Sequence, residues 1–249
     1  MDDIQKNRII AFIDILGFKK LINGAEKNKV IEFLYELRDI DSKFEEELIK
    51  CETLSGEMGV TKIHPDISSY SDHILISAPI NLDSLQSITT SLAYISYTII
   101  DIQLLALKRN FALRGAIAHG EMFYDDEKKI FAGQALIEAI ETESLVAKYP
   151  RIIISKSVKD LFENMKLDKI EYNFLIKDFD GIMFLNFLNA KYVSQKFKDS
   201  IEAELNLFKD IIQKNIDKSK GCIAILSKWE WLENYYNLSV DRISKYSGN

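Results

Sequence analysis

The run at residues 7–16 (NRIIAFIDIL) is apolar at almost every position and carries a single carboxylate, Asp14, inside it. Continuous apolar character predicts a strand buried on both faces, so its sheet must be covered by helices. A carboxylate near the end of such a strand needs a partner or a cation, because an isolated charge in apolar surroundings is costly. Gly17 closes the run, and the Leu16-Gly17-Phe18 turn can present successive backbone N–H groups to a phosphate. An aspartate capping the next helix is the plainer alternative for Asp14.

The rest of the chain divides by its periodicity. Residues 28–51 repeat Val30, Phe33, Leu34, Leu37, Phe44 and Leu48 at helical spacing, with a charged outer face. Residues 52–65 read as a loop. Short strands at 66–70 and 74–78 flank the turn Ser71-Asp72-His73. A long helix over 81–108 has Asn81 as its expected N-cap. A strand at 111–118 ends at His119-Gly120, and a hairpin follows at 122–131. A helix over 133–148 is stopped by Pro150. Then come a strand at 151–154, a short helix capped by Ser155 or Ser157, and strands at 170–176 and 181–188 around KDFDG. From Lys191 the pattern is helical, with a break near Gly221. This order predicts an α+β domain over 1–190, a mixed sheet covered by helices, with a helical C-terminal extension at 191–249.

Bulk properties narrow the partners. With 32 basic against 38 acidic residues the net charge is −6, so no basic face for nucleic acid is expected. The most apolar long stretch, 91–107, is broken by Asp101 and Gln103 and falls short of the ~20 residues of a membrane span. The opening MDDIQKNRII is no signal peptide. The two cysteines, Cys51 and Cys222, show no metal or disulfide spacing. A cytoplasmic protein, bound neither to membrane nor to nucleic acid, is expected.

Asp72 alone reads as an ordinary turn aspartate. Together with Asp14 it means more. Carboxylates on adjacent strand ends can hold two hard cations about 4 Å apart, as in-line phosphoryl chemistry uses.

Four segments then carry a family resemblance. FIDILGF (12–18) and YSDHILIS (70–77) resemble the first and second metal motifs of class III adenylyl and guanylyl cyclases. LRGAIAHGE (113–121) resembles the strand after the next helix. IFAGQALIEAIETE (130–143) resembles the glycine-initiated helix that completes their site. The resemblance covers about residues 7–188 in order. It implies a cyclase-like, ferredoxin-like palm in which Asp14 and Asp72, helped by the Ile15 carbonyl, bind two Mg²⁺ or Mn²⁺ ions. It also implies a nucleoside triphosphate substrate and a homodimer whose sites form between subunits.

The chain departs from that family at three places. Ser71 replaces the turn glycine, and alignment on Gly133 puts Ile137 and Glu141 where an Asn and an Arg usually stabilise the transition state. Loss of that pair with both aspartates kept is closest to the pyrimidine cyclases of the bacterial anti-phage system called Pycsar. Those also show an RGAI-type strand, a YPRIIIS-like strand and a helical extension, which SKWEWLENYYN (227–237) resembles. The resemblance implies cyclisation of UTP or CTP to a 3′,5′-monophosphate read by a separate effector protein. A purine cyclase and an inactive nucleotide-binding or dimerisation module are the alternatives. Arg114 is the candidate replacement cation, with a structural ion pair to Glu138 or Asp101 as its alternative. Lys177 is the candidate for the terminal phosphates. His73, His119 and His64 read as turn, packing or surface residues. Asp178 and Asp180 read as a charged turn, and Trp229, Trp231, Tyr235 and Tyr236 as packing.

Overall fold

The computed structural model describes residues 5–43, 66–125, 128, 130–166 and 174–247. The expected helix end at 44–51, the loop at 52–65, hairpin-tip residues 126, 127 and 129, and the strand start at 170–173 lie outside the described residues.

The apolar run forms β1 (Gln5–Ile15), the axis of an eight-stranded sheet. It lies antiparallel to β3 (His73–Pro79) on one side and to β4 (Leu113–Asp125) on the other. The hairpin partner of β3, β2 (Asp66–Tyr70), forms one edge. Helix α2 (Lys27–Lys43) links β1 to β2, and α3 (Leu85–Lys108) links β3 to β4. Strand order β4-β1-β3-β2 with two crossover helices is the ferredoxin-like arrangement. The sheet continues through β6 (Ile152–Ile154), parallel to β4, then β8 (Met183–Leu185) and the edge strand β7 (Leu175–Lys177). β5 (Ile130–Gly133) folds back on the end of β4. The architecture is thus α+β with a mixed sheet covered by helices, as the sequence pattern predicts.

Alternation along β1 divides the core. Ile9, Ala11, Ile13 and Ile15 pack with Val30, Phe33 and Leu37 of α2 and with Ile88, Ile95 and Ile99 of α3. Ile10 faces the other way, with Leu75, Ala118 and Met122, against Ala135 and Ala139 of α4 (Gln134–Val146). Each fully buried isoleucine contributes about 1.5–3 kcal/mol, so the strand is fixed on both faces. Gly133, which starts α4, has no room for a side chain: a Cβ would lie 2.4 Å from the Glu121 carbonyl oxygen.

Some boundaries differ from expectation. Ser84, not Asn81, caps α3: its hydroxyl accepts from the Ser87 N–H at 3.2 Å. Asn81 instead takes the Asp83 N–H at 3.0 Å, forming a local turn before the helix. β4 runs through His119-Gly120, because pairing with β1 continues to Gln5↔Phe123. A short helix α1 (Phe18–Ile22) follows β1. After α5 (Lys156–Asn164), the tail forms α6 (Ala190–Lys196), α7 (Ile201–Ser219) and α8 (Ile223–Ser247). It therefore breaks after Lys196 as well as near Gly221. By length and composition α3 could cross a membrane, yet 78% of its most apolar stretch is buried inside the fold.

Candidate active site

Three adjacent strands bring His73, Asp14 and Arg114 into one row, since Asp14 of β1 pairs with His73 of β3 and with Arg114 of β4. Cross-strand partners share a face, and this is the α4 face. Asp72 precedes His73 in the turn. Ligand atoms of Asp14, Asp72 and His73 lie within 4.8 Å of one another. The Ile15 N–H donates to the Asp72 carbonyl at 2.9 Å, tying the turn to the end of β1. In extended backbone the N–H and C=O of one residue point the same way, so the Ile15 carbonyl also faces this turn. His73 Nδ1 is 3.2 Å from Asp72 Oδ1, and its ring stacks on Phe12 at 4.7 Å. Ser71 accepts a left-handed φ of 58°, the conformation for which glycine is the usual choice.

The set fits a hard divalent cation. Carboxylate and carbonyl oxygens suit Mg²⁺ or Mn²⁺, and the carboxylates are partly open: the side chain of Asp14 is 14% exposed and that of Asp72 35%.

Arg114 borders this group and is shared. Its Nε lies 2.9 Å from Asp14 Oδ2 and 2.7 Å from Glu143 Oε1. The partners weighed from sequence, Glu138 and Asp101, are engaged elsewhere. Glu138 accepts the Ser157 N–H at the start of α5 at 2.9 Å, and Asp101 takes Lys196 at 2.7 Å and the Tyr192 hydroxyl at 2.6 Å. A further cation arrives from the tail. On α8, burial and then the neighbouring Arg114 push the Lys228 ammonium below its usual range, against the pull of Asp14, Cys222 and Glu143. Sequence reasoning missed both Glu143 and Lys228. A signal for Glu143 existed: it follows Ala135 and Ala139 at four-residue spacing, on the buried side of α4. Nothing in the sequence ties Lys228 to β1.

The other expected site residues fall at different places. Gly17, with φ 77°, begins α1, and its carbonyl accepts from Lys20 and Leu21. The Leu16 N–H donates to the Ala112 carbonyl at 2.9 Å. The N–H groups of Gly17 and Phe18 have no acceptor among the described residues, whereas that of Leu16, expected as a third donor, is already bonded. Lys177 is on β7, four strand spacings from β1, or about 19 Å across the sheet. It does not join the Asp14 group within one chain.

His119 points to the face opposite Asp14, beside a cleft of about 380 Å³ between Leu82 and Ser157, Leu161 and Met165. Burial lowers its pKa, with Glu138 opposing. Asp178 and Asp180 clamp the fully buried Arg151. Trp231 donates to Asp178 at 2.8 Å and stacks on Tyr149 and Tyr235, so α8 is docked beside the Arg151 cluster.

No family profile matches this chain, and no curated protein matches it. Among solved structures it is similar to the monomeric guanylyl cyclase domain of the RhoGC fusion protein from the aquatic fungus Blastocladiella emersonii. That likeness has 13% identity and a TM-score of 0.44, covering 72% of this chain and 94% of that one. So distant a likeness leaves the chemistry to be argued from the site itself.

Proposed function

We propose that this chain is a nucleotidyl cyclase that converts UTP or CTP to the 3′,5′-cyclic monophosphate and pyrophosphate. The observation that carries this reading is the pair Asp14 and Asp72 on adjacent strand ends of a ferredoxin-like palm, with ligand atoms within 4.8 Å. Divalent cations held by Asp14, Asp72 and the Ile15 carbonyl would supply activation of the ribose 3′-hydroxyl and neutralisation of the triphosphate. The chain's own residues do the rest. Gly17 and Phe18 offer backbone donors to phosphate oxygens at the end of β1. Arg114 and Lys228 place positive charge beside Asp14, where a missing Asn/Arg pair would otherwise leave the transition state without a cation.

The outer face of α4 exposes Ile137 and Ile140, and β5 exposes Ile130. An apolar face next to the site supports a homodimer. Lys177, at the far edge of the sheet, would then serve the partner's triphosphate. Residues 1–190 form the catalytic body under this reading, and 191–249 a helical extension that brings Lys228. The pyrimidine preference, the cytoplasmic setting and the role in anti-phage signalling through a separate effector follow from the sequence resemblance to pyrimidine cyclases.

The test is incubation with each of the ribonucleoside triphosphates and Mn²⁺, followed by product chromatography, with Asp14→Ala and Asp72→Ala alongside. A cyclic monophosphate from UTP or CTP, absent in both variants, is the expected result. Product from ATP or GTP alone overturns the base assignment and the defence role. No product from any triphosphate in a confirmed dimer overturns the enzyme and leaves a nucleotide-binding module.

A further inference from the structure

We infer that Glu143 is a second seat for the Arg114 guanidinium and draws it off Asp14 when Asp14 takes up a divalent cation. The inference rests on the metal-site reading above. Arg114 Nε carries one hydrogen, yet two carboxylate oxygens lie in ion-pair range of it, Asp14 Oδ2 at 2.9 Å and Glu143 Oε1 at 2.7 Å. The hydrogen bond goes to Asp14. Glu143 is 3% exposed; among the described residues its Oε1 has no hydrogen-bond donor, and Oε2 accepts the Ser144 hydroxyl at 3.1 Å. A buried carboxylate oxygen left without a donor is costly, so this position calls for the guanidinium beside it.

The exchange keeps every charge paired. With Asp14 free of metal, Arg114 neutralises Asp14 and lies against Glu143. A cation on Asp14 repels the guanidinium, and a small rotation of Arg114 completes its hydrogen bonding on Glu143. Arg114 thereby stays at the site as a fixed cation instead of swinging into water. Lys228 adds positive charge on the same side, which strengthens the need for a buried anion there. Without the Glu143 carboxylate, Arg114 stays on Asp14 and competes with the metal. Glu143 is on this account a positioning residue acting through Arg114.

The test is Mn²⁺ affinity, read from free Mn²⁺ by electron paramagnetic resonance on the full chain. Glu143→Gln is expected to bind Mn²⁺ about tenfold more weakly than the wild type, and the double variant Glu143→Gln/Arg114→Met to recover wild-type affinity or better. Unchanged affinity in Glu143→Gln overturns the exchange. So does a double variant as weak as Glu143→Gln, because the loss would then reflect local damage and not competition by Arg114. Asp14→Asn separates the two levels. Wild-type Mn²⁺ binding that ignores Asp14→Asn sinks the metal-site reading and the exchange with it. Binding that depends on Asp14 but not on Glu143 sinks the exchange alone.

Discussion

Arg114 on β4 and Arg151 immediately before the neighbouring strand β6 each sit between two carboxylates, yet they differ in every respect that decides function. Arg151 is 0% exposed; both nitrogens of its fork are bonded to Asp178 and Asp180, and its guanidinium lies near the rings of Tyr149, Phe184 and Trp231. Asp178 is further held by Trp231. Arg114 has a side chain 27% exposed, shares one N–H between two acids, and borders a turn whose Asp72 is open to solvent. Arg151 leaves its buried Nε without an acceptor among the described residues, but both fork nitrogens are engaged by two acids in an enclosed cluster that stabilises the fold; a partly exposed arginine at a strand end can change partners. Two clusters of the same composition therefore do different work, and enclosure of the guanidinium tells them apart.

The largest effects should split along this line. Asp14→Ala or Asp72→Ala should lower cyclase turnover by on the order of 10³-fold or more, the scale for losing a charge-stabilising group, with the melting temperature hardly moved. Arg151→Met should do the reverse. Removing one partner of a buried ion cluster strands the others, at a cost of about 3–5 kcal/mol. Denaturant unfolding measures that cost, and turnover per folded molecule should hold. An Arg151→Met chain that is stable but inactive would move Arg151 into the working site and erase the contrast.

The sequence disclosed one side of this comparison better than the other. Asp14 was legible because a lone acid interrupts a continuous apolar run, and Asp72 because it sits in a two-strand turn of the right order. The α+β order of strands and helices was legible from their periods, and the ferredoxin-like arrangement only from the family resemblance. Glu143 stayed hidden because a glutamate on a helix reads as surface, and only its four-residue spacing from Ala135 and Ala139 marks it as buried. Arg151 and the KDFDG acids are separated by more than twenty-five residues, and no local pattern can join groups so distant. Lys228 was invisible for the same reason: it lies on a helix whose position is set by aromatic packing of Trp231 and Tyr235 against Phe184.

Lys228→Met sharpens the comparison at the next smaller scale. Lys228 faces Arg114, Asp14 and Glu143 one helical turn before Trp231, so the variant removes charge while leaving the docking ring in place. Turnover should fall about tenfold, the size of one 1.4 kcal/mol interaction at the transition state, with unfolding by denaturant unchanged. A fall in stability with turnover intact would assign Lys228 to the structural cluster, beside Arg151.

The smallest effect is a slope. Burial opposes ionisation of Asp180, but the Arg151 hydrogen bond and the Ile182 N–H outweigh it and hold the carboxyl below its ordinary value. A carboxyl lowered on folding contributes stability that is fully present above its unfolded pKa of about 3.9. That stability is lost as pH falls through the lower folded value. Melting temperature should therefore decline below about pH 4 in the wild type. Asp180→Asn has no such charge to lose: it should melt lower at neutral pH and follow a flatter curve in acid. Parallel acid limbs for the two proteins would mean that the Asp180–Arg151 pair is not what ties stability to pH. The enclosed cluster would then be held by Asp178 and its bond from Trp231, and the buried aromatic wall would matter more than the second acid.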